Sequence, residues 1–361
     1  MNAGLRWALR VDSSLHLGTG HLMRCLVLAQ QARLRGVSLK FICADLPGHS
    51  GAIVTRQGFD LQMLDTDPGD KGLADFDWKR DSSSTRSLAG GNLWDLLVVD
   101  HYSIDCRWEA ALRSAARQIL VIDDLADRVH DCDILVDQNY YLDLDCRYDK
   151  LVPPGCLKLL GTRFLLLRSE FKKTRQGMKR KTVNVRRILI SFGGTDETNV
   201  TCMVLDAITL LGRPDIAIDV VIGATAPHRA AVEARISALP QSSLHVQTSQ
   251  MAQLIMRADL AIGGCGSSAW ERCCLGLPTL VLVLADNQRL LAARLDAIGV
   301  IVNLGEARDM KPGRLAVAIL KLMADRAARA ALSERALALG VGTGPDTIDF
   351  LLDKESTHTQ T

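Results

Sequence analysis

The sequence is poor in aromatic residues, in net charge and in long apolar runs. Phe, Trp and Tyr make up 4% of its 361 residues, so any core must be aliphatic, which the 48% hydrophobic content can supply. Forty-three Lys and Arg against 41 Asp and Glu leave a formal charge of +2, which argues against dominant nucleic-acid binding. No stretch approaches the roughly 18 uncharged apolar residues that a membrane span needs. The longest candidate, residues 275–285, has strand length and contains Pro278. The chain enters a strand almost at once with no apolar signal segment, so a cytoplasmic protein without a membrane partner is expected. No Cys-x-x-Cys pair occurs among the ten cysteines, and several sit inside apolar runs. That pattern suits reduced, packed thiols better than a disulfide frame or a zinc site.

What is present is a repeated alternation of strand and helix. Residues 5–11, 37–43, 61–64, 93–100, 119–124, 134–136 and 157–161 read as strands, with helices at 21–29 and 105–118. Residues 66–92 are polar and show no clear pattern. A basic stretch follows, with Lys172, Lys173, Arg175, Lys179, Arg180, Lys181, Arg186 and Arg187, and it reads as a solvated linker. The alternation then resumes, with strands at 187–192, 216–222, 244–247, 260–262 and 279–284. Helices are expected at 199–211, 227–239, 250–257, 269–275, 287–298, 312–340 and 345–353, and disorder over 355–361. Such alternation builds parallel sheets with right-handed crossovers. The expected fold class is α/β, with two Rossmann-like domains facing a cleft. Their expected limits are 1–171, a linker at 172–186, 187–340, and a C-terminal helix and tail at 341–361.

Two strand-to-helix turns carry chemistry. The first is Arg10-Val11-Asp12-Ser13-Ser14-Leu15-His16-Leu17-Gly18-Thr19-Gly20-His21-Leu22-Met23-Arg24. It places His21 in the first turn of a helix, where unpaired N–H groups favour a neutral imidazole that accepts a proton. Gly18 and Gly20 let backbone approach a bulky or anionic ligand. A histidine that merely caps the helix or faces water is the plain alternative. The second turn is Gly263-Gly264-Cys265-Gly266-Ser267-Ser268-Ala269-Trp270-Glu271. Consecutive N–H groups and two hydroxyls at a helix start suit a diphosphate, and Glu271 lies one turn on, within reach of sugar hydroxyls. Gly193-Gly194-Thr195 offers another such turn. Neither is a Walker A loop or a dinucleotide fingerprint. Strand-end polar groups recur at Asp100-His101-Tyr102, Asp123-Asp124 and Asp137-Gln138-Asn139, each as consistent with a turn as with a site, and at Asp286-Asn287-Gln288, which by itself reads first as an N-cap and first helical turn. Asp-x-Asp pairs at 65/67, 75/77, 131/133 and 143/145 are too frequent in this Asp-rich chain to mark a metal, and none is expected.

Taken together, the first turn, Ser191-Phe192-Gly193-Gly194-Thr195-Asp196, the block Ser268-Ala269-Trp270-Glu271-Arg272-Cys273-Cys274-Leu275-Gly276-Leu277-Pro278, and Ala285-Asp286-Asn287-Gln288 resemble the UDP-sugar hydrolases of pseudaminic acid biosynthesis. Those enzymes release UDP from UDP-2,4-diacetamido-2,4,6-trideoxy-β-L-altropyranose. They are similar in turn to the two-domain GT-B glycosyltransferases, among them the one that adds N-acetylglucosamine to lipid II precursors. The resemblance implies a UDP-sugar substrate, no cofactor, His21 as general base on water and Tyr102 as an active-site tyrosine. It implies Glu271 on the ribose and Gly266, Ser267 and Ser268 on the diphosphate. Asp12, Gly18, Gly20, Arg24, Gly194, Thr195, Asn287 and Gln288 are expected to complete the substrate site. Water would attack the anomeric carbon with inversion. The sequence departs from the pattern at Cys265-Gly266-Ser267-Ser268, where a more glycine-rich turn is expected. A GT-B glycosyltransferase with an alcohol acceptor and a non-catalytic nucleotide-sugar sensor are the alternatives.

Overall fold

Alternating buried side chains let each sheet bury both faces. In the first strand Trp7, Leu9 and Val11 enter one aliphatic core, while Ala8 enters the core on the opposite face. The computed structural model describes residues 4–66, 76–178, 180 and 184–358, with side chains described to residue 352. The chain divides into two compact units, Met1–Leu166 with Gly344–Thr361, and Leu167–Thr343.

In the first unit the order is β1 (Arg6–Val11), α1 (Gly20–Leu34), β2 (Ser38–Ala44), α2 (Gly51–Arg56), β3 (Asp60–Leu64), α3 (Trp78–Ser87), β4 (Trp94–Asp100), α4 (Cys106–Leu112), β5 (Ala116–Ile122), β6 (Ile134–Asp137) and β7 (Leu157–Leu160). These strands form one sheet in the order β3-β2-β1-β4-β5-β6-β7, and every pairing is parallel. The strand order reverses between β1 and β4, where Val11 is in register with Asp100. Ligands of open parallel sheets bind beyond the strand ends at such a reversal.

The second unit runs α5 (Ser169–Arg175), β8 (Arg187–Ser191), α6 (Val200–Leu210), β9 (Ala217–Ile222), α7 (Arg229–Ser237), β10 (Ser242–Val246), α8 (Met251–Arg257), β11 (Leu260–Gly263), α9 (Ser267–Cys274), β12 (Thr279–Val283), α10 (Asp286–Ala297), β13 (Val302–Glu306), α11 (Pro312–Ala324) and α12 (Arg326–Ala338). Its parallel sheet has the order β10-β9-β8-β11-β12-β13. The reversal lies between β8 and β11, where Ser191 is in register with Gly263. The fold class is therefore α/β, with two Rossmann-like parallel-sheet units of the GT-B kind. No helix among the described residues is long and apolar enough to cross a membrane.

Several expected limits shift. The basic stretch is not a uniform solvated linker. Residues 169–175 are the helix α5, anchored by fully buried Phe171. Arg180 donates to the carbonyl oxygens of Ile255 (2.5 Å), Ala258 (2.7 Å) and Leu275 (2.6 Å), which satisfies the last carbonyls of α8 and α9. Burial pulls its guanidinium down to about pKa 10. Lys179 and Lys181 lie outside the described residues. The first unit thus ends at residue 166 rather than 171, and the second at 343 rather than 340.

The last helix, α13 (Thr347–His358), reaches through 355–358, where disorder was expected, and returns to the first unit. Ile348, Leu351 and Leu352 enter the α1-side core. Residues 359–361 lie outside the described residues. The polar segment 66–92 contains α3, because the Asp77 carboxylate accepts the N–H groups of Lys79 and Arg80 and caps it. The helix expected over 105–118 stops at Leu112, since Ala116 already pairs with Trp94 in the sheet.

Because Ile348 is fully buried, Ile348→Ala should cost about 2–5 kcal/mol. Native-state hydrogen exchange should show the loss in the seven-stranded unit. Loss of protection confined to the six-stranded unit would contradict the assignment of the last helix.

Candidate functional site

Each sheet presents one cluster at its strand-order reversal. In the first unit, α1 begins at Gly20 and sets His21 in its first turn. The preceding loop is closed by the Gly18 N–H donating to the Ser14 carbonyl (3.0 Å), with Gly18 at φ +71°. His21 Nδ1 lies 2.5 Å from Asp100 Oδ1, at the end of β4. The Arg24 guanidinium grips the same carboxylate, Nε to Oδ2 at 2.6 Å and Nη2 to Oδ1 at 2.6 Å, and donates from Nη1 to Asp124 Oδ2 at 3.0 Å. Tyr102 packs edge-on to His21, with ring centroids 4.4 Å apart.

Burial alone would raise the Asp100 carboxyl. The Arg24 charge, together with the hydrogen bonds from Arg24 and His21, outweighs it and holds the group well below the ordinary carboxylate range. An ionised carboxylate only accepts, so the proton between Asp100 and His21 sits on Nδ1. A neutral ring then presents Nε2 as a proton acceptor.

The other expected groups of this unit behave differently. Arg24 is buried and spends its donors on Asp100 and Asp124. Asp12 is buried in a separate network. Its Oδ2 accepts from Arg10 Nη2 (2.9 Å), its Oδ1 accepts from the Ala44 N–H (2.7 Å), and His101 Nε2 stands 3.1 Å away. Arg10 also grips Asp81 (2.6 Å), which accepts from the Trp108 indole (2.8 Å). Burial raises Asp12, but Arg10 and His101 override it and hold the carboxyl far below its usual range. Asp12 therefore ties loop to sheet. Asp123 and Asp137 share the Tyr148 hydroxyl (3.1 and 2.9 Å), and Asp131 and Asp133 share Arg113.

In the second unit two turns flank the β8/β11 pairing. Here backbone replaces side chains. A Cβ at Gly263 would lie 2.5 Å from the Ser191 carbonyl oxygen, and one at Gly223 would lie 2.1 Å from the Gly194 carbonyl oxygen. Gly194 and Thr195 thus belong to a close-packed turn, and the Asp196 carboxylate caps α6 through the N–H groups of Val200 and Thr201 (2.9 Å each). The turn after β11 leads through Gly266 into α9 with no side-chain cap. Gln288 braces it, its Oε1 accepting from the N–H groups of Cys265 (3.1 Å) and Leu284 (3.3 Å). Ser267 is exposed, Ser268 is partly exposed, and Asn287 is exposed on α10. Glu271 Oε1 accepts from Arg168 Nε (3.1 Å) and Nη2 (2.8 Å). Ser191, Ser268, Glu271 and Arg272 line one small pocket.

The structure brings His21, Tyr102 and Arg24 together, and separately Gly266, Ser267, Ser268, Glu271 and Gln288. It adds Asp100 and Arg168, which sequence reasoning passed over. Asp100 stood in a strand-end motif, but its partner is 79 residues away. Arg168 precedes the basic stretch and carried no local signal.

No protein-family profile matches the chain. Among curated proteins it is 34% identical over 148 residues to the Bacillus subtilis spore coat polysaccharide biosynthesis protein SpsG, covering 40% of this chain and 43% of that one. It is 28% identical over 196 residues to the UDP-2,4-diacetamido-2,4,6-trideoxy-β-L-altropyranose hydrolase of Campylobacter jejuni, covering 54% and 62%. The matches thus span about half the length of these curated relatives. Among solved structures, Acinetobacter baumannii MurG superposes with a TM-score of 0.62 at 14% identity, over 97% of this chain and 98% of that one. A glycotransferase of kitacinnamycin superposes with a TM-score of 0.65 at 17% identity, over 98% and 99%. The solved structures share the fold.

Asp12 and Asp100 contribute stability above the ordinary carboxylate pKa of about 4. That stability is lost as pH falls toward their depressed folded values. Urea unfolding from pH 7 to pH 3 should show the decline below about pH 4, and Asp100→Asn should flatten it. An unchanged pH slope in the variant would mean that Asp100 is not held ionised by Arg24 and His21.

Proposed function

We propose that this chain is a nucleotide-sugar hydrolase that cleaves the anomeric C–O bond of a UDP-linked 2,4-diacetamido-trideoxy sugar with inversion. The observation that carries the reading is the His21–Asp100 pair at the reversal of the first sheet. It supplies an oriented imidazole, which is what activation of a water requires. The glycine turn at the reversal of the second sheet supplies the leaving-group site. The partial match to the Campylobacter jejuni hydrolase supports the substrate class.

In this mechanism the roles divide between the residues of the two clusters. Glu271, steadied by Arg168, accepts the ribose hydroxyls. The N–H groups and hydroxyls of Gly266, Ser267 and Ser268 receive the diphosphate and stabilise charge that builds on its β-phosphate as the bond breaks. His21 Nε2 takes the proton of a water that attacks C1. Asp100 stabilises the imidazolium that forms. Tyr102 restricts the ring through its edge contact. The sugar oxygen leaves with UDP, and water supplies the new hydroxyl from the opposite face.

A glycosyltransferase is the second reading, favoured by the solved structures that share the fold. It differs in one respect: an acceptor hydroxyl replaces water. Incubating the purified chain with the UDP-sugar alone separates the two. UDP and free sugar should appear without an acceptor, and turnover only after an alcohol is added would favour the transferase.

His21→Ala should lower turnover by about 10²–10⁴-fold while UDP binding persists. Near-normal turnover would remove His21 as the base. Glu271→Ala should chiefly weaken UDP binding, read by calorimetry, and unchanged affinity would remove its ribose role.

A further inference from the structure

Three buried arginines stand near the two clusters, and they are compensated differently. Arg10 sits on Asp12 and Asp81, and Arg24 sits on Asp100 and Asp124. Arg272 is as buried, at 3% exposure, yet it forms no ion pair among the described residues. Its neighbour Glu271 is turned to Arg168. Its Nη2 donates to the Gly264 carbonyl and its Nη1 to Ser268 Oγ at 3.2 Å. Its Nε is buried and has no partner among the described residues. Burial lowers the pKa of all three guanidinium groups. Carboxylates outweigh that burial for Arg10 and Arg24 but not for Arg272.

A buried cation without a counter-charge is costly, and an apolar side chain of similar volume would avoid the cost. The place where this cost is borne is informative. Arg272 touches the glycine turn at both ends, at Gly264 and at Ser268. It stands behind the N-terminus of α9 (Ser267–Cys274), whose first N–H groups have no side-chain cap. By donating to Ser268 Oγ it also leaves the hydroxyl proton of Ser268 available to an incoming acceptor.

We propose that Arg272 is the positioning residue of the diphosphate subsite, a buried positive charge whose counter-ion is the phosphate of the bound nucleotide. The inference rests on the nucleotide reading given above and deepens it. Arg272 acts through the turn. It holds Gly264 and Ser268 in place and adds a full charge to the partial charge of the helix end. The free chain bears the desolvation, and the liganded chain recovers it.

The test compares uridine, UMP and UDP binding by isothermal titration calorimetry, with thermal unfolding of the unliganded chain, for wild type, Arg272→Met and Arg272→Lys. In wild type, affinity should rise steeply from uridine to UDP. In Arg272→Met the UDP-to-uridine affinity ratio should shrink by about tenfold or more, with uridine affinity unchanged and the unliganded chain no less stable. Arg272→Lys should keep most of the ratio, because it keeps the charge. The proposal is overturned if Arg272→Met retains the wild-type ratio, if uridine and UDP weaken equally, or if the lysine variant loses as much as the methionine variant. A methionine variant that cannot fold also contradicts it, since the charge would then be structural. If wild type binds neither UMP nor UDP, the nucleotide reading itself fails. If wild type binds UDP and Arg272→Met matches it, only the role of Arg272 fails.

Discussion

The carboxylate of Asp100 is the point on which the first unit turns. It lies at the end of a central strand, in register with the last residue of β1, where the strand order reverses. One side chain there joins β4 to α1 through both His21 and Arg24. The same contacts that hold the carboxylate ionised also decide which imidazole nitrogen bears the proton. A structural tie and the orientation of the His21 ring are therefore one interaction. Removing it would leave a buried guanidinium and an unguided ring together.

The second unit meets a different constraint. Its strand-end turns are shaped by backbone that packs too closely for any Cβ, at Gly263 against Ser191 and at Gly223 against Gly194. Gly266 stands at the N-cap of α9, so the N–H groups at the start of that helix have no side-chain cap. Charge is handled in two ways around them. Arg168 is balanced by Glu271, whereas Arg272 is not balanced by any carboxylate among the described residues. The proposed nucleotide-sugar substrate matches this division, with hydroxyls for the carboxylate and phosphates for the turn.

Much of the fold was legible because its signals are local. Strands such as residues 93–100 are short apolar runs ending in polar groups, and the turns before His21 and Ser267 announce themselves by glycine. The two parallel sheets followed from alternation alone. Helix α3 was hidden because its half-buried anchor, Asp81, pairs with Arg10 across 71 residues. The domain limits were misplaced because composition suggested a linker where Phe171 and Arg180 bury themselves in the second unit, and because α13 returns to the first core. Of the candidate site, His21, Ser268 and Glu271 could be singled out from motif position. Their partners Asp100 and Arg168 could not, since those pairings span 79 and 103 residues. Arg272 was visible only as one letter in a motif. Its meaning lies in the absence of a counter-charge, which requires three dimensions.

The central claim is that water, oriented by an imidazole held on Asp100, attacks the anomeric carbon. Turnover of the UDP-sugar in ¹⁸O-enriched water, read by mass spectrometry with NMR of the first-formed anomer, tests it most directly. The account predicts one ¹⁸O on C1 of the released sugar, none in UDP, and inverted configuration. Label in UDP, or retained configuration, would contradict it.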